Sequence, residues 1–242
     1  SYYVEVLTNS LADVAWKLFL EVEEKGGFSV AVNAGEIQNA VNASNVARKK
    51  AVATRREILL GSNQYPNFTE VAADKIQEKG SCCCGGGHCG EATIPALDFS
   101  RGASEFEALR MATEKRGKTP KVFMLTIGNL AMRLARSQFS ANFFACAGFE
   151  VKDNNGFKTV DEGVQACLDN KAAIVVLCSS DDEYAGFAPE AFEKLKDKAI
   201  VVVAGNPESR PELEAKGLMN YIHVKNNVLE ELKGYQVKLG IK

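Results

Sequence analysis

The chain has 242 residues, of which 46% are apolar and 25% charged, and its net charge at pH 7 is -2. That balance excludes a disordered or collagen-like chain, and it gives no overall basic character for binding nucleic acid. The longest apolar runs, such as 172–178 and 199–204, are far shorter than the roughly 18 residues that a membrane span needs. Neither a membrane nor a nucleic acid is therefore an expected partner.

The chain contains 7 cysteines, an odd number, and its beginning has no signal-peptide pattern. We therefore predict a reducing, cytoplasmic location rather than a secreted disulfide framework. The first residue is Ser1 rather than Met, which suggests a processed product or a fragment of a longer protein.

Residues 1–80 predict two amphipathic helices after a strand-like start at Tyr2-Tyr3-Val4. Ser10 and Asp13 have the spacing of a capping box, so the first helix is expected to begin there and to end at Gly26-Gly27. Apolar positions between 37 and 52 recur at helical spacing and predict the second helix. These elements do not make a complete core, so we expect them to pack on the C-terminal domain or on another copy of the chain, with apolar surface left exposed.

Residues 81–118 read as a linker, because glycines interrupt any regular pattern. The linker contains a cluster of residues whose side chains can ligate zinc, namely Cys82, Cys83, Cys84, His88 and Cys89. Three adjacent cysteines cannot easily converge on one ion, and no second Cys-x-x-Cys pair follows, so we predict no metal site there. A short helix is expected from Ser104 to Lys115.

Between 119 and 242, short β-branched runs alternate with helical stretches. Strands are predicted at 121–126, 149–151, 173–178, 199–203 and 220–224. Helices are predicted near 130–147, 159–170, 188–196, 210–216 and 227–239. Five such βα units predict an α/β fold with a flavodoxin-like, five-stranded parallel sheet of strand order 2-1-3-4-5, covered by helices on both faces.

In such a sheet, ligands bind beyond the carboxyl ends of the strands, at the switch point between strands 1 and 3. The loops that meet there carry Gly128 and Asn129 after strand 1, Ser179 and Ser180 after strand 3, and Gly205 and Asn206 after strand 4. The acidic run 181–183 follows strand 3, where a metal-binding or phosphoacceptor carboxylate can lie. Strand 1 ends without an acidic partner, so a charge cluster at the start of a helix is the favoured interpretation.

Several segments, in a fixed order, resemble the adenosylcobalamin-dependent methylmalonyl-CoA mutase family. Residues 1–8, 16–27 and 61–65 resemble the end of that family's substrate-binding barrel, a TIM-type barrel. Residues 117–122, 147–151 and 202–205 resemble its cobalamin-binding domain. The resemblance implies a rearrangement that interconverts methylmalonyl-CoA and succinyl-CoA through a radical made by the cofactor.

Cobalamin-binding members of that family carry an Asp-x-His-x-x-Gly motif after strand 1, whose His ligates cobalt. Neither His88 nor His223 stands in such a motif, and Leu130 and Met132 lie at or beside the expected positions. We therefore predict a vestigial pocket, filled in part by those two side chains, with no catalytic residue, no metal ligand and no bound cofactor. The residues of this pocket are Gly128, Asn129, Leu130, Met132, Ser179, Ser180, Gly205 and Asn206.

This departure points to the branch of the family formed by small, non-catalytic subunits of heterodimeric mutases. The resemblance then implies a C-terminal part of such a subunit, whose partner, the large subunit, binds adenosylcobalamin and catalyses the reaction. Two alternatives stay open. One is a catalytic mutase half that binds cobalamin base-off in a non-standard site, and the other is a flavodoxin-like module that binds a different small ligand.

Overall fold

The computed structural model describes residues 1–73, 96–97 and 100–241, so the cysteine-rich cluster at 82–89 lies outside the described residues. The described residues fall into two compact units. One contains residues 1–49 with 96–97 and 100, and the other contains 50–73 with 101–241. No helix among the described residues is both long and apolar enough to cross a membrane.

The first unit is helical and contains α1 at Tyr2–Glu24 and α2 at Phe28–Asn33. It also contains most of α3, a helix that spans Glu36–Ala53 and whose last residues belong to the second unit. The predicted strand at Tyr2-Tyr3-Val4 is wrong, because the helical spacing of Val4, Leu7 and Leu11 continues the apolar stripe of α1 back to its start. Ser10 does not cap a helix. It lies inside α1, where its Oγ donates to Val6 O at 2.9 Å.

Helix α1 contains no buried residue, although it is rich in apolar side chains. Trp16 and Phe19 stack on each other with ring centroids 5.2 Å apart, yet they are 60% and 49% exposed. The two rings therefore belong to no buried core of this chain. The expected exposed apolar surface is present on α1, while self-association of the chain stays a prediction.

The second unit is built on alternating strands and helices after an initial helix, α4. Its strands are β1 at Lys121–Thr126, β2 at Glu150–Lys152, β3 at Ile174–Cys178, β4 at Ile200–Ala204 and β5 at Tyr221–Ile222. Its helices are α4 at Ser104–Lys115, α5 at Leu130–Ala145, α6 at Val160–Asp169, α7 at Tyr184–Leu195, α8 at Arg210–Ala215 and α9 at Val228–Lys238.

These strands form one parallel sheet in the order β2-β1-β3-β4-β5, which confirms the predicted flavodoxin-like topology. Val122 of β1 pairs with Ile174 of β3, and Ile174 pairs with Ile200 of β4. The register of these three central strands is therefore aligned near their first residues. Side chains alternate across β1: Val122 and Met124 enter the core beneath α5 and α9, whereas Phe123 and Leu125 enter the core beneath α6 and α7. Both faces of the sheet are thus buried, as parallel sheets require.

Helix α4 lies where it was predicted, but it belongs to the core rather than to a solvated linker. Phe106, Leu109 and Thr113 are buried, and α4 packs on α9. Gln236 of α9 is 6% exposed, and its Nε2 donates to Leu109 O at 2.6 Å and to Thr113 Oγ1 at 2.9 Å. A buried polar side chain therefore joins the two helices.

Replacing this glutamine by leucine should destabilise the second unit. Gln236→Leu removes both hydrogen bonds and leaves the Thr113 hydroxyl with only its donation to Leu109 O at 3.4 Å, so we expect a loss of about 1–2 kcal/mol. Urea unfolding followed by far-UV circular dichroism measures it. Gln138→Leu, at an exposed position of α5, is the matched control and should change the stability by less than about 0.5 kcal/mol. Equal effects of the two substitutions would contradict this role of Gln236.

Three cysteines of the second unit are buried, at different places in the fold. Cys146 follows α5, Cys167 lies in α6, and Cys178 ends β3. Burial raises the pKa of each thiol above its ordinary value, to about 12 for Cys167. At neutral pH these cysteines are protonated, and they act as small apolar side chains.

Candidate functional site

The candidate site is the carboxyl edge, which we define as the loops 127–129, 179–183 and 205–206 together with the start of α5. Parallel pairing brings these loops to the same edge, because Thr126 lies opposite Cys178 and Leu177 opposite Val203. The Ile127 amide extends this pairing and donates to Cys178 O at 3.2 Å. The structure thus brings together the loop residues that the sequence selected.

Glu183 occupies the centre of the carboxyl edge. The Asn129 amide donates to its two carboxylate oxygens at 3.1 and 3.2 Å, the Ser180 amide donates at 3.4 Å, and the Ser179 hydroxyl donates to Oε2. The hydrogen bond from Ser179 is the main reason that the pKa of Glu183 falls to about 2. Gly128 has φ +81°, and a Cβ atom there would overlap this carboxylate. Glu183 therefore fills the space that Gly128 leaves open.

A second pair of side chains fills the space beside Gly205. Arg136 of α5 and Asp181 form an ion pair at 3.0 Å. A Cβ at Gly205 would lie 2.7 Å from Asp181 Oδ1, which is too close, and 3.3 Å from Arg136 Cζ, which is a tight contact. The neighbouring Asn206 accepts a hydrogen bond from Arg210 at 3.0 Å.

Arg133 closes the carboxyl edge on the side of β2. Its guanidinium donates to Gly128 O at 3.3 Å and to Asn155 O at 3.1 Å. A Cβ at Gly156 would lie 2.6 Å from Arg133 Cζ. Gly128 and Gly205 in the edge, and Gly156 beside it, therefore each face a side chain of this protein in the space where a ligand atom could otherwise lie.

Tyr184 ties the strand ends together beneath these loops. Its hydroxyl donates to Ala204 O at 2.6 Å and accepts from the Ser179 amide at 3.0 Å. The ring is fully buried, which raises the pKa of its hydroxyl above the ordinary value. The ends of β3 and β4 are thus held by one side chain, so the loops rest on a rigid base.

Leu130 and Met132 do not fill a cavity, which corrects the prediction made for them. They are 60% and 38% exposed and lie in the first turn of α5. Asn129 is the N-cap of that helix, since its Oδ1 accepts from the Met132 amide at 3.2 Å. Because this cap fixes the start of α5, the two apolar side chains point away from the sheet and into solvent.

His223 is the one imidazole among the described residues, and it follows β5 rather than β1. Its Nδ1 accepts from the Lys225 amide at 3.2 Å. Partial burial, aided by Arg210, lowers its pKa below the ordinary value. The described part of the chain contains no group of three or more side chains that could hold a metal ion.

The sequence placed these loops at one edge of the sheet, as the strand order has them, but it did not reveal the side chains that lie between them. Arg133, Arg136 and Glu183 were not among the predicted pocket residues. The acidic run 181–183 was the only available signal, and the structure agrees with its interpretation as charges at the start of a helix, because Glu183 is the N-cap residue of α7. The two arginines gave no signal, because arginines on a helix usually face solvent.

Comparisons with known proteins agree with the resemblance seen in the sequence. A family model described as methylmalonyl-CoA mutase matches residues 1–80. A methylmalonyl-CoA mutase small subunit from Porphyromonas gingivalis is 63% identical over 245 residues, covering 100% of this chain. This chain belongs to the methylmalonyl-CoA mutase family. Another small subunit, from Streptomyces virginiae, is 31% identical over 86% of the chain.

The chain is shorter than these mutase relatives, and it spans 39% and 33% of their respective lengths. Among solved structures, a cobalamin-binding protein from Desulfitobacterium hafniense aligns with 57% of this chain and 71% of its own, at 18% identity and a TM-score of 0.41. The flavodoxin-like fold of this family member is established by the strand order of its own sheet.

Proposed function

We propose that this chain is part of a non-catalytic small subunit of an adenosylcobalamin-dependent methylmalonyl-CoA mutase, with a structural role. Its partner is then the large subunit, which binds adenosylcobalamin and interconverts methylmalonyl-CoA and succinyl-CoA. The relatives named small subunits support this assignment. The observation that carries the non-catalytic role is the closed carboxyl edge, where side chains of the chain occupy the space beside Gly128, Gly156 and Gly205.

Adenosylcobalamin does not fit the residues of the carboxyl edge. The loop after β1 and the first turn of α5 offer no imidazole to cobalt, and Leu130 and Met132 lie there instead. His223 follows a different strand, and its Nδ1 already accepts a backbone hydrogen bond. A cofactor tail would also have to displace Glu183 from four hydrogen bonds. We therefore assign no step of the radical rearrangement to this chain.

The charges of the edge also favour a structural role over acid–base chemistry. A general base works best when its pKa lies near the working pH. Glu183, whose pKa lies near 2, is a weak base at neutral pH, and Asp181 is engaged by Arg136. These groups hold loops together rather than exchange protons with a substrate.

The same proposal gives the chain its domain organisation. Residues 1–80 correspond to the end of the mutase barrel, which the family-model match over these residues supports. Residues 81–118 connect this part in sequence to the cobalamin-binding-like domain at 119–242, and α4, which lies within 81–118, packs on α9 of that domain. The exposed apolar side chains of α1 suit a helix that packs against the remainder of a barrel.

Titration with adenosylcobalamin tests the proposal directly. The purified chain should give no absorbance change and no heat of binding, whereas the large subunit, titrated in parallel, should give both. The chain should co-elute with the large subunit in size-exclusion chromatography. Cobalamin binding with a spectral change would overturn the proposal and favour the catalytic alternative. His223→Ala would then show whether that imidazole ligates cobalt, because the spectral change would vanish in the variant.

A further inference from the structure

A second depression lies at the amino edge of the sheet, opposite the carboxyl edge. It has a volume of about 490 Å³ and is formed by the loop 116–120 before β1, the start of β1, and the turn before β3. Pro120, Ala173 and Leu239 give it an apolar part. We call this depression the amino-edge cavity, and nothing in the proposed function uses it.

The cavity is lined by cations. Arg116, Lys118, Lys121 and Lys171 all border it, and Glu150 is the single carboxylate among the described residues that does so. Lys152 Nζ holds Glu150 Oε1 at 2.7 Å, so this carboxylate already has a cationic partner. Within the described residues, no hydrogen bond or ion pair engages the side chains of the four cations. A concave surface with charges of one sign attracts the opposite charge strongly.

The backbone that carries these cations is fixed by the sheet. The Glu150 amide donates to Pro120 O at 2.9 Å, which ties the loop before β1 to β2. The Ala173 amide donates to Lys121 O at 2.9 Å, which ties β1 to the turn that carries Lys171. The backbone that borders the cavity is therefore held in place by the sheet.

We propose that the amino-edge cavity binds a phosphate-rich small anion of the nucleoside polyphosphate class. A row of phosphates carries several charges on oxygens that point in different directions, so it can engage all four cations, whereas one carboxylate cannot. The apolar part of the cavity can take up the face of a base. Its volume lies within the range of small-molecule sites. The proposal is independent of the mutase assignment, because it rests on the opposite edge of the sheet.

Isothermal titration calorimetry of the full chain with magnesium-free ATP, inorganic triphosphate and adenosine tests this inference. At low salt we expect ATP and triphosphate to bind with dissociation constants below about 1 mM, and binding to weaken as salt increases. Adenosine alone should not bind at these concentrations. Equal affinity for ATP and triphosphate would assign recognition to the phosphates, while tighter ATP binding would add a contact to the nucleoside.

Charge reversal makes the test specific to the cavity. The double variant Lys118→Glu/Lys171→Glu should weaken triphosphate binding by at least about tenfold, since hydrogen bonds to charged groups are among the stronger ones. Lys158→Glu, an equally exposed change in the loop before α6, should alter it by less than about twofold. Both positions of the double variant are exposed, and far-UV circular dichroism checks its folding. Absence of ATP and triphosphate binding, or equal binding by the double variant, would overturn the inference.

Discussion

Glu183→Gln should destabilise the second unit at neutral pH and remove part of its sensitivity to acid. The substitution keeps the size of the side chain but removes the charge that accepts from Ser179, Ser180 and Asn129. Hydrogen bonds to a charged group contribute on the order of 1.5–3 kcal/mol when buried, and this carboxylate is only partly buried. We therefore expect a loss of about 1–2 kcal/mol at pH 7.

The stabilising contribution of Glu183 should decrease as the pH falls. The pKa of Glu183 is about 2 in the folded chain against 4.5 for the unfolded reference, so its contribution is fully present above pH 4.5 and is lost as the pH falls toward 2. Urea unfolding at pH 7, 4 and 3 should therefore show a difference between wild type and variant that shrinks with acid. Glu208→Gln, at an exposed position, is the control and should show no such trend. A constant difference across this range would contradict the hydrogen-bonded carboxylate.

Phe144→Ala should cause the largest loss of stability among the substitutions considered. Phe144 has no exposed surface, and its ring lies 5.3 Å from Phe143, 5.2 Å from Tyr235 and 6.2 Å from Phe149, centroid to centroid. Truncation removes these aromatic contacts and leaves a cavity between α5 and α9. Such changes cost about 3–5 kcal/mol.

Far-UV circular dichroism is the suitable readout for Phe144→Ala, because the single tryptophan, Trp16, lies in the first unit rather than in the unit that contains Phe144. Phe68→Ala is the matched control, since Phe68 belongs to the same unit but is 63% exposed. It should change the stability by less than about 0.5 kcal/mol. Similar shifts in the urea midpoint for the two variants would show that the aromatic cluster does not carry the core.

The sheet could be predicted because its strands are short β-branched runs with Gly, Pro or Asn near their ends. The start of α7 was predicted near 188 but lies at Tyr184. Pro189 lies inside this helix, where it removes one backbone donor. The strand predicted at Tyr2–Val4 is part of α1 instead. The β-strand propensity of aromatic and β-branched residues decides less than apolar residues that recur at helical spacing over the whole segment.

The position of the carboxyl edge could be predicted from the sequence, but the side chains that fill it could not. Strand order alone places the loops, and the glycines mark positions of close approach. Which side chain approaches each glycine depends on the direction of α5 and on the cap at Asn129, neither of which a single sequence reveals. Leu130 and Met132 were misplaced for the same reason.

The three buried cysteines of the second unit can serve as probes of local unfolding in that unit. A thiol that is protonated and enclosed reacts with an alkylating reagent only when its surroundings open. Cys146, Cys167 and Cys178 sample the end of α5, the last turn of α6 and the end of β3. Labelling rates resolved by mass spectrometry would therefore rank the opening free energies of these elements without any substitution, and the central strand should be the last to react.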